Sequence, residues 1–528
     1  MAEREFFKFN AVAGSAPSYI FTGGTKAVSE LSGQSVEFML NYVHTHATVT
    51  IQIEKECKKS KEEALELIEN AKCVGGVKAL QILNRAITYV PMEEKDLLGK
   101  VSDMIKESMI KLDIKDDCCE DQKISDKIKI EYKEGVGRHV VAVEDISVGE
   151  TIIRENPFVS FLHNSHQKTN CLNCMKSVLI GTGCEKCSQV IFCSENCKSV
   201  ATKFHHRECG YMNMLPGLGP LAPVLRIFTA RSVQFFTERE NYFDSYDKSL
   251  GDLSTCTDVF RNMFNLQAGN KNSSQYKIDK AAYSYYLICL LKKMFYFENN
   301  QEEAFDDEHI VVGKFICHFL KIADDNCHEV CELAVPKSAD TKSFDELFDD
   351  EDSAINVVGV AIYPKISLFN NCCDVNTFKY HQANQEVIVA RRDIKAGEEV
   401  SDFYGEYFFQ NRKLSRKKNL GFVCGCIPCK EDWPLLDDLP NFTFEDVEAR
   451  YDWAVERVAL ESALAHKDVP CIKNICEHLG QLINVTGPHQ AKVQPELYLS
   501  YAHMFLFCNK AVNFQELYCK VMKTVPNQ

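Results

Sequence analysis

The spacing of apolar residues changes several times along this chain, and each change marks a different kind of element. From about residue 36 to 115 they recur at helical spacing, in ALELIENAKC and in KALQILNRAITYVP, where Pro91 supplies a stop. The first thirty-five or so residues, rich in Gly, Ser and Ala, show no period and are expected to form a loose start. At residue 128 the texture switches to IKIEYKEGVGRHVVAVEDISVGETIIRENPFVSFL, β-branched runs broken by glycines, which predicts short strands. Helical spacing returns over residues 210–335, with AAYSYYLICLLKKMF its most apolar part. Strand texture returns in VVGVAIYPKISLF and in FKYHQANQEVIVARRDI, the latter read as a hairpin turning near Ala383–Asn384. The acidic run KSADTKSFDELFDDEDS reads as a loop, and residues 435–528 as helical.

One echo organises this alternation. Ala142–Glu150 (AVEDISVGE) and Ala390–Glu398 (ARRDIKAGE) both fit A-x-x-D-I-x-x-G-E, a strand followed by a tight glycine turn, with almost half the chain between them. The economical reading is one β-domain interrupted by insertions, within an α+β multidomain chain. A length of 528 residues suits roughly two to four domains rather than one core.

Composition adds two constraints. The formal net charge of -15 argues against general binding to a phosphate backbone, no direct sequence-specific nucleic-acid binding is expected, and basic protein partners suit it better. No run of about eighteen apolar residues predicts a membrane span, and the N-terminus lacks an apolar leader. The expected compartment is therefore reducing, where clustered thiols bind metal more often than they form disulfides.

The chain has 25 cysteines, and two groups stand out. CLNCMKSVLIGTGCEKCSQVIFCSENCKSVATKFHHREC holds Cys171, Cys174, Cys184, Cys187, Cys193, Cys197, His205 (with His206 beside it) and Cys209, at spacings C-x2-C, C-x2-C, C-x3-C and H-x3-C. Four such pairs fill two tetrahedral zinc sites and leave no position for water, which makes the metal structural. FVCGCIPC offers Cys424, Cys426 and Cys429, one ligand short of a tetrahedron, and Cys373 is a candidate for the fourth. CHEVC (residues 327–331) reads instead as an ordinary helix face, and the basic run Arg412–Lys418 as a solvated helix face.

Four further pieces line up: Gly135-Val136-Gly137 before a strand, the stretch NNCCDVN from Asn370 to Asn376, Tyr404 in GEEVSDFYGEYF, and Phe422 just before the cysteine triad. Together they resemble a SET domain. The dense cysteine pattern resembles a MYND zinc finger, and the whole resembles the SET- and MYND-domain (SMYD) family of protein lysine methyltransferases over about residues 128–430. The helical N-terminal extension is most similar to the tetratricopeptide-containing subclass.

The resemblance implies a split SET β-fold interrupted by a MYND finger and a helical insertion, with helical N- and C-terminal regions. The implied segments are a helical N-terminal region (1–127), the first part of the SET domain (128–170), the finger (171–209), the helical insertion (210–345), the second part of the SET domain (346–411), a post-SET zinc segment (412–432) and a helical C-terminal domain (433–528). It implies S-adenosyl-L-methionine as cofactor, with Gly135, Gly137, Asn370, Asn371, Tyr404 and Phe422 around it and Tyr404 at the point of methyl transfer. Three structural zinc ions are implied: one on Cys171, Cys174, Cys193 and Cys197, one on Cys184, Cys187, His205 and Cys209, and one on Cys373, Cys424, Cys426 and Cys429. The implied partners are a protein substrate offering a lysine, histone or not, and proline-containing peptides of transcriptional regulators at the finger. A monomer working in nucleus and cytoplasm is expected.

The chain also departs from the family. Where relatives carry N-H-S-C it has N-N-C-C, so Asn371 replaces histidine and Cys372 replaces serine, while Val375 replaces a proline before the retained Asn376. Val136 and Glu134 are further departures at the glycine turn. They keep a rival expectation open, a catalytically impaired adaptor acting through its finger.

Overall fold

The computed structural model describes residues 7–11, 18–21, 34–51, 59–112 (except 75 and 92), 121–244 (except 179 and 180), 258–333 (except 269, 270, 272 and 302), 355–435 (except 409 and 410), and residues 438, 459, 471, 474 and 475. The acidic run before residue 354 and nearly all of the C-terminal region read as helical lie outside the described residues.

The N-terminal region is not wholly helical. Strands β1 (Phe7–Ala11) and β2 (Ser18–Phe21) precede helix α1 (Val36–His46), and β3 (Ala47–Ile51) follows it. They form a sheet ordered β2-β1-β3, with β1 antiparallel to β2 and parallel to β3. This corrects the expectation of a loose start and of helix throughout 36–115. The runs FKFNA, SYIF and ATVTI are aromatic or β-branched, as strands favour, but four or five residues are too few to stand out as a period. Beyond them, α2 (Lys61–Lys72), capped by Ser60, and α3 (Gly76–Tyr89) form a helical hairpin, followed by α4 (Lys95–Leu112).

The central β-unit is built from both halves of the chain. The first half supplies β4 (Lys123–Ile124), β5 (Ile128–Lys133), β6 (Gly137–Ala142), β7 (Thr151–Glu155) and β8 (Val159–Leu162). A small cysteine-rich unit follows, with β9 (Thr182–Gly183), β10 (Ile191–Phe192) and α5 (Glu195–Glu208). Helices α6 (Leu221–Thr229), α7 (Val233–Thr237), α8 (Val259–Phe264), α9 (Ser274–Lys293) and α10 (Asp307–Asn326) come next. The second half then supplies β11 (His328–Leu333), β12 (Ile355–Ile362), β13 (Thr377–Gln382), β14 (Gln385–Ala390) and β15 (Glu399–Val400). The described part closes with α11 (Lys413–Leu420) and α12 (Ile427–Lys430). Residues 328–331, read as a helix face, are strand: α10 ends at Asn326, and Val330 is buried in the sheet core between more accessible neighbours, a period of two that five residues of sequence did not reveal.

Three sheets, β11-β12-β8, β13-β14-β7-β4 and β15-β6-β5, each pair strands from before and after the insertions. The two A-x-x-D-I-x-x-G-E copies lie against one another and exchange bonds reciprocally. Gly149 N donates to Ala390 O (2.7 Å) and Gly397 N to Ala142 O (2.8 Å). Ala390 N donates to Glu150 O and Ala142 N to Glu398 O, both at 2.9 Å, and Ile146 and Ile394 exchange a bond each way at 2.9 Å. Gly149 (φ +78°) and Gly397 (φ +88°) turn through the left-handed region, which is why both copies need glycine there. The core beneath holds Val140, Ile152, Ile388, Ile394 and Val400 from both halves.

The hairpin of β13 and β14 turns at Ala383 and Asn384, with Ala383 at φ +59°. A second, larger core unites the N-terminal helices, the cysteine-rich unit and the insertion. The helical hairpin docks on the cysteine-rich unit through Asn84 Nδ2, which donates to Val178 O at 2.9 Å.

A buried ion pair ties the cysteine-rich unit to the insertion and the sheet. Arg226 of α6 meets Glu208 of α5 through Nη2–Oε2 (2.7 Å) and Nε–Oε1 (3.1 Å), and its Nη1 donates to Ser160 O of β8 (2.9 Å). Its guanidinium also lies over the rings of Phe161 and Phe204. Breaking such a pair leaves an uncompensated buried charge. Arg226→Leu is expected to lower stability by about 3–5 kcal/mol, read as an earlier first transition in urea, with metal content unchanged; an unshifted transition would show that the pair does not hold these parts together.

Candidate functional site

Three groups of side chains could hold a metal ion: Cys171, Cys174, Cys193 and Cys197; Cys184, Cys187, His205 and Cys209; and Cys373, Cys424, Cys426 and Cys429. Within each, the ligand atoms lie within 4.8 Å of one another. A tetrahedral zinc with Zn–S near 2.3 Å sets sulfurs about 3.8 Å apart. Pairs within the groups match that: 3.6 Å for Cys174–Cys193, 3.5 Å for Cys193–Cys197, 3.9 Å for Cys184–Cys209 and 3.6 Å for Cys373–Cys429. All these cysteines are free thiols. Four soft donors at these separations fit zinc.

Helix α5 explains why the first eight ligands divide as they do. Ser194 caps it by accepting from Cys197 N, which sets Cys197 in the first turn, while His205 sits in the last. Eight residues of helix rise by roughly 12 Å, so one ion cannot bind both. His205 is buried with Nε2 3.6 Å from Cys187 Sγ, whereas His206 is exposed and its Nδ1 faces Thr202 O. His205 is the histidine that faces the cysteines of this group, a choice the sequence leaves open between adjacent histidines.

The third group gathers around Cys373, which is fully buried with Phe408, Cys424 and Cys429. Side chains from outside the group bond to its sulfurs: Arg416 Nη2 donates to Cys429 Sγ (3.5 Å), Asn371 Nδ2 to Cys424 Sγ (3.4 Å), and the Cys372 thiol bonds Cys426 Sγ. Arg416 corrects the reading of Arg412–Lys418 as a wholly solvated face. It is 1% exposed, and its Nη1 also donates to Phe408 O (3.1 Å) and Asn411 O. Four thiolates on one divalent ion carry net negative charge, and a buried guanidinium offsets it. Composition alone does not distinguish Arg416 from its exposed basic neighbours.

Beside this group the chain folds back on itself. Glu155 of β7 accepts from Lys365 N and Ile366 N (2.8–3.1 Å), fixing the turn that leads into Phe369 and Asn370; burial pushes its carboxyl up to about 7. Asp402 N then donates to Asn370 O (2.8 Å) and Cys372 N to Asp402 O (3.1 Å), a parallel bridge between Asn371 and Asp402. Asn370 Nδ2 donates to Glu399 Oε1 (3.1 Å). Tyr404 is held at both ends: its N donates to Asn371 Oδ1 (3.1 Å) and its hydroxyl to Phe369 O (2.9 Å). Burial of the hydroxyl end, with the Asp402 carboxylate second, raises the phenol above its ordinary pKa and keeps it neutral.

Lys379 was not singled out by sequence. Its Nζ bonds Asp402 Oδ2 (2.8 Å) and donates to Phe403 O (3.1 Å). Burial opposes its charge, but Asp402 and Glu386 outweigh that and raise its pKa. No sequence spacing relates positions 379 and 402; only the folded chain brings them together.

Gly135 (φ +82°) and Gly137 (φ +86°) make the turn between β5 and β6. A Cβ built on Gly135 would meet no atom within 4 Å, so the turn's backbone is open to approach; Gly137 faces the Gln267 side chain. Because β15 runs antiparallel to β6, the chain leaving Val400 toward Tyr404 heads for the Gly137 end. Phe422 stands apart, 44% exposed and following the left-handed Gly421 that caps α11, with no ring partner among the described residues. Asn376, which sequence placed in the motif, is a pin: its Oδ1 accepts from Ser401 N and Oγ, and its Nδ2 donates to Glu399 O.

Comparison with known proteins gives a consistent picture. A SET-domain family model matches residues 137–405, just over half of the chain. A SET and MYND domain-containing protein of Dictyostelium discoideum is 21% identical over 349 residues, covering 60% of this chain and 84% of its own length. Protein-lysine N-methyltransferase SMYD4 of Gallus gallus is 23% identical (53% of this chain, 46% of that protein), and histone-lysine N-methyltransferase SMYD3 of Homo sapiens is 23% identical (56% and 59%). The chain thus spans most of the first relative and about half of the other two. A solved SET domain bound to lysine and AdoHcy covers 81% of this chain and 92% of its own, at 12% identity and a TM-score of 0.25, too slight a likeness to build on.

Metal analysis of the purified chain is expected to give close to three zinc ions, and Cys373→Ser close to two. A count unchanged by that substitution would remove Cys373 from the third group.

Proposed function

The chain belongs to the SET-domain family, of the type that also carries a MYND finger, and from that premise we propose that it is an S-adenosylmethionine-dependent protein lysine methyltransferase with three structural zinc ions. The observation that carries the reading is the double anchoring of Tyr404, hydroxyl to Phe369 O and N–H to Asn371 Oδ1, on a segment running toward the Gly135–Gly137 turn. The residues present fit the cofactor: two glycines at positive φ, one facing open space, with Tyr404 on the segment that leaves β15 toward them and Asn370 on the segment bridged to it at Asn371–Asp402.

S-adenosylmethionine, when bound, supplies an electrophilic methyl group on a sulfonium. The chain's own task is alignment and exclusion of water, and orientation alone can supply roughly 7–11 kcal/mol of a barrier. A neutral tyrosine hydroxyl, part-buried beside a main-chain carbonyl and on a ring that is 43% exposed, can accept a hydrogen bond from a substrate amine and orient the amine's lone pair toward the methyl group. It does this without offering a charge that would hold the amine protonated. The zinc groups lie outside this chemistry and act as scaffold: all four ligand positions of each are taken by side chains. The cysteine-rich unit is read as a MYND finger inserted in the SET fold. The acidic net charge of -15 suits a basic protein substrate.

Calorimetric titration with S-adenosylmethionine, followed by transfer of labelled methyl groups to cell-extract proteins, tests the proposal. Binding is expected, and Tyr404→Phe is expected to lower kcat by roughly 10²-fold, the usual scale for removing one positioned polar group, with cofactor affinity little changed. No binding at millimolar cofactor would overturn the enzyme reading in favour of an adaptor acting through its finger.

A further inference from the structure

Asn371 is the position at which this chain departs most visibly from its family's motif, and its side chain is spoken for at both ends. Its Nδ2 donates to Cys424 Sγ at 3.4 Å and lies 3.9 Å from Cys373 Sγ, while its Oδ1 accepts from Tyr404 N at 3.1 Å. The two demands agree on one amide orientation, since a metal-bound thiolate accepts only and a main-chain N–H donates only. Cys424 Sγ also lies 3.9 Å from Asn371 O.

We propose that Asn371 is a positioning residue, a bracket whose amide couples the third metal group to the placement of Tyr404. This rests on the reading of Tyr404 as the residue at the transfer point. Among the described residues Tyr404 itself makes no bond to a cysteine, and Asn371 is the side chain that bonds to both. A donor to a ligating sulfur spreads its charge and strengthens retention of the ion. An acceptor on Tyr404 N sets where the ring begins, and the bond from its hydroxyl to Phe369 O sets where it ends. Replacement of the family's histidine by asparagine therefore keeps a donor and an acceptor at this position, and it is not by itself a sign of a retired enzyme.

Two substitutions separate the two arms. Asn371→Asp keeps the oxygen that accepts from Tyr404 N but replaces the donor by a charge that repels the thiolate; Asn371→Ala removes both. Zinc transfer from the full chain to a colorimetric chelator is expected to be about tenfold faster in Asn371→Asp and at least several-fold faster in Asn371→Ala, on the scale of lost outer contacts to metal ligands. Hydrogen–deuterium exchange of the peptide containing Tyr404 is expected to rise in Asn371→Ala and to stay near wild type in Asn371→Asp. The kcat of Asn371→Ala is expected to fall about tenfold with KM for the protein substrate within about twofold, and Asn371→His, which again offers a donor and an acceptor, is expected to recover most of it. Melting temperatures confirm that each variant is folded. Unchanged zinc release in both Asp and Ala variants, or unchanged exchange at Tyr404 in the Ala variant, would overturn the bracket. Wild-type protein without any transfer, but with release and exchange responding as expected, would sink the methyltransferase reading and leave the bracket standing.

Discussion

The approach of Tyr404 to the Gly135–Gly137 turn depends on two glycine turns, almost half the chain apart, closing on one another. Gly149 and Gly397 each donate to the alanine that ends the strand of the other copy, and Ile146 and Ile394 pair between them. That closure sets β6 beside β15, and with it brings the Gly135–Gly137 turn of the first half to the strand that leads into Tyr404 in the second. The contacts are main-chain bonds over a shared apolar core, so they tolerate different side chains at the x positions but not the loss of either glycine. A long insertion between two halves costs little more in closure entropy than a moderate one, because that cost grows only with the logarithm of loop length. The cysteine-rich unit and five helices can therefore be carried between the halves of one β-unit.

The second constraint is electrostatic. Thiolate groups that hold a metal are anions in a protein of low local dielectric, and each must be answered nearby. At the third group the answer comes from Arg416 on Cys429 and from Asn371 on Cys424. Both reach inward from segments that also position something else: Arg416 holds the main chain at Phe408 and Asn411, and Asn371 holds Tyr404. On the proposed function, metal retention and the geometry around Tyr404 would thus draw on the same few hydrogen bonds. The same economy appears at Lys379, whose ammonium answers Asp402 and also fixes the carbonyl just before Tyr404.

Much of this could be read without coordinates. The switch from helical to β-branched texture at residue 128, the paired cysteine spacings and the repeated A-x-x-D-I-x-x-G-E are local patterns, and local patterns survive in a one-dimensional string. Short strands did not: FKFNA, SYIF and ATVTI are four or five residues each, and the exposure pattern of residues 328–332 is legible only once β12 lies beside them. Nor did the basic run announce that Arg416 alone among its lysines and arginines is buried, because burial on a helix depends on what packs against it.

What the sequence determined by itself was chemistry with fixed spacing: four ligand pairs sized for two zinc ions, a triad lacking one ligand, a glycine turn, and a tyrosine ahead of the triad. Spacing of this kind is dictated by a metal's coordination and by backbone conformation, both of which act within a few residues. The tertiary structure alone decided that Asn371 meets Tyr404 and Lys379 meets Asp402, and it gathered Cys373, offered by the sequence as a candidate, with Cys424, Cys426 and Cys429. It also decided that His205, not His206, turns inward. Those choices follow from sheet register and from which helix face is covered, and both are set by the packing of the whole chain rather than by any segment of it.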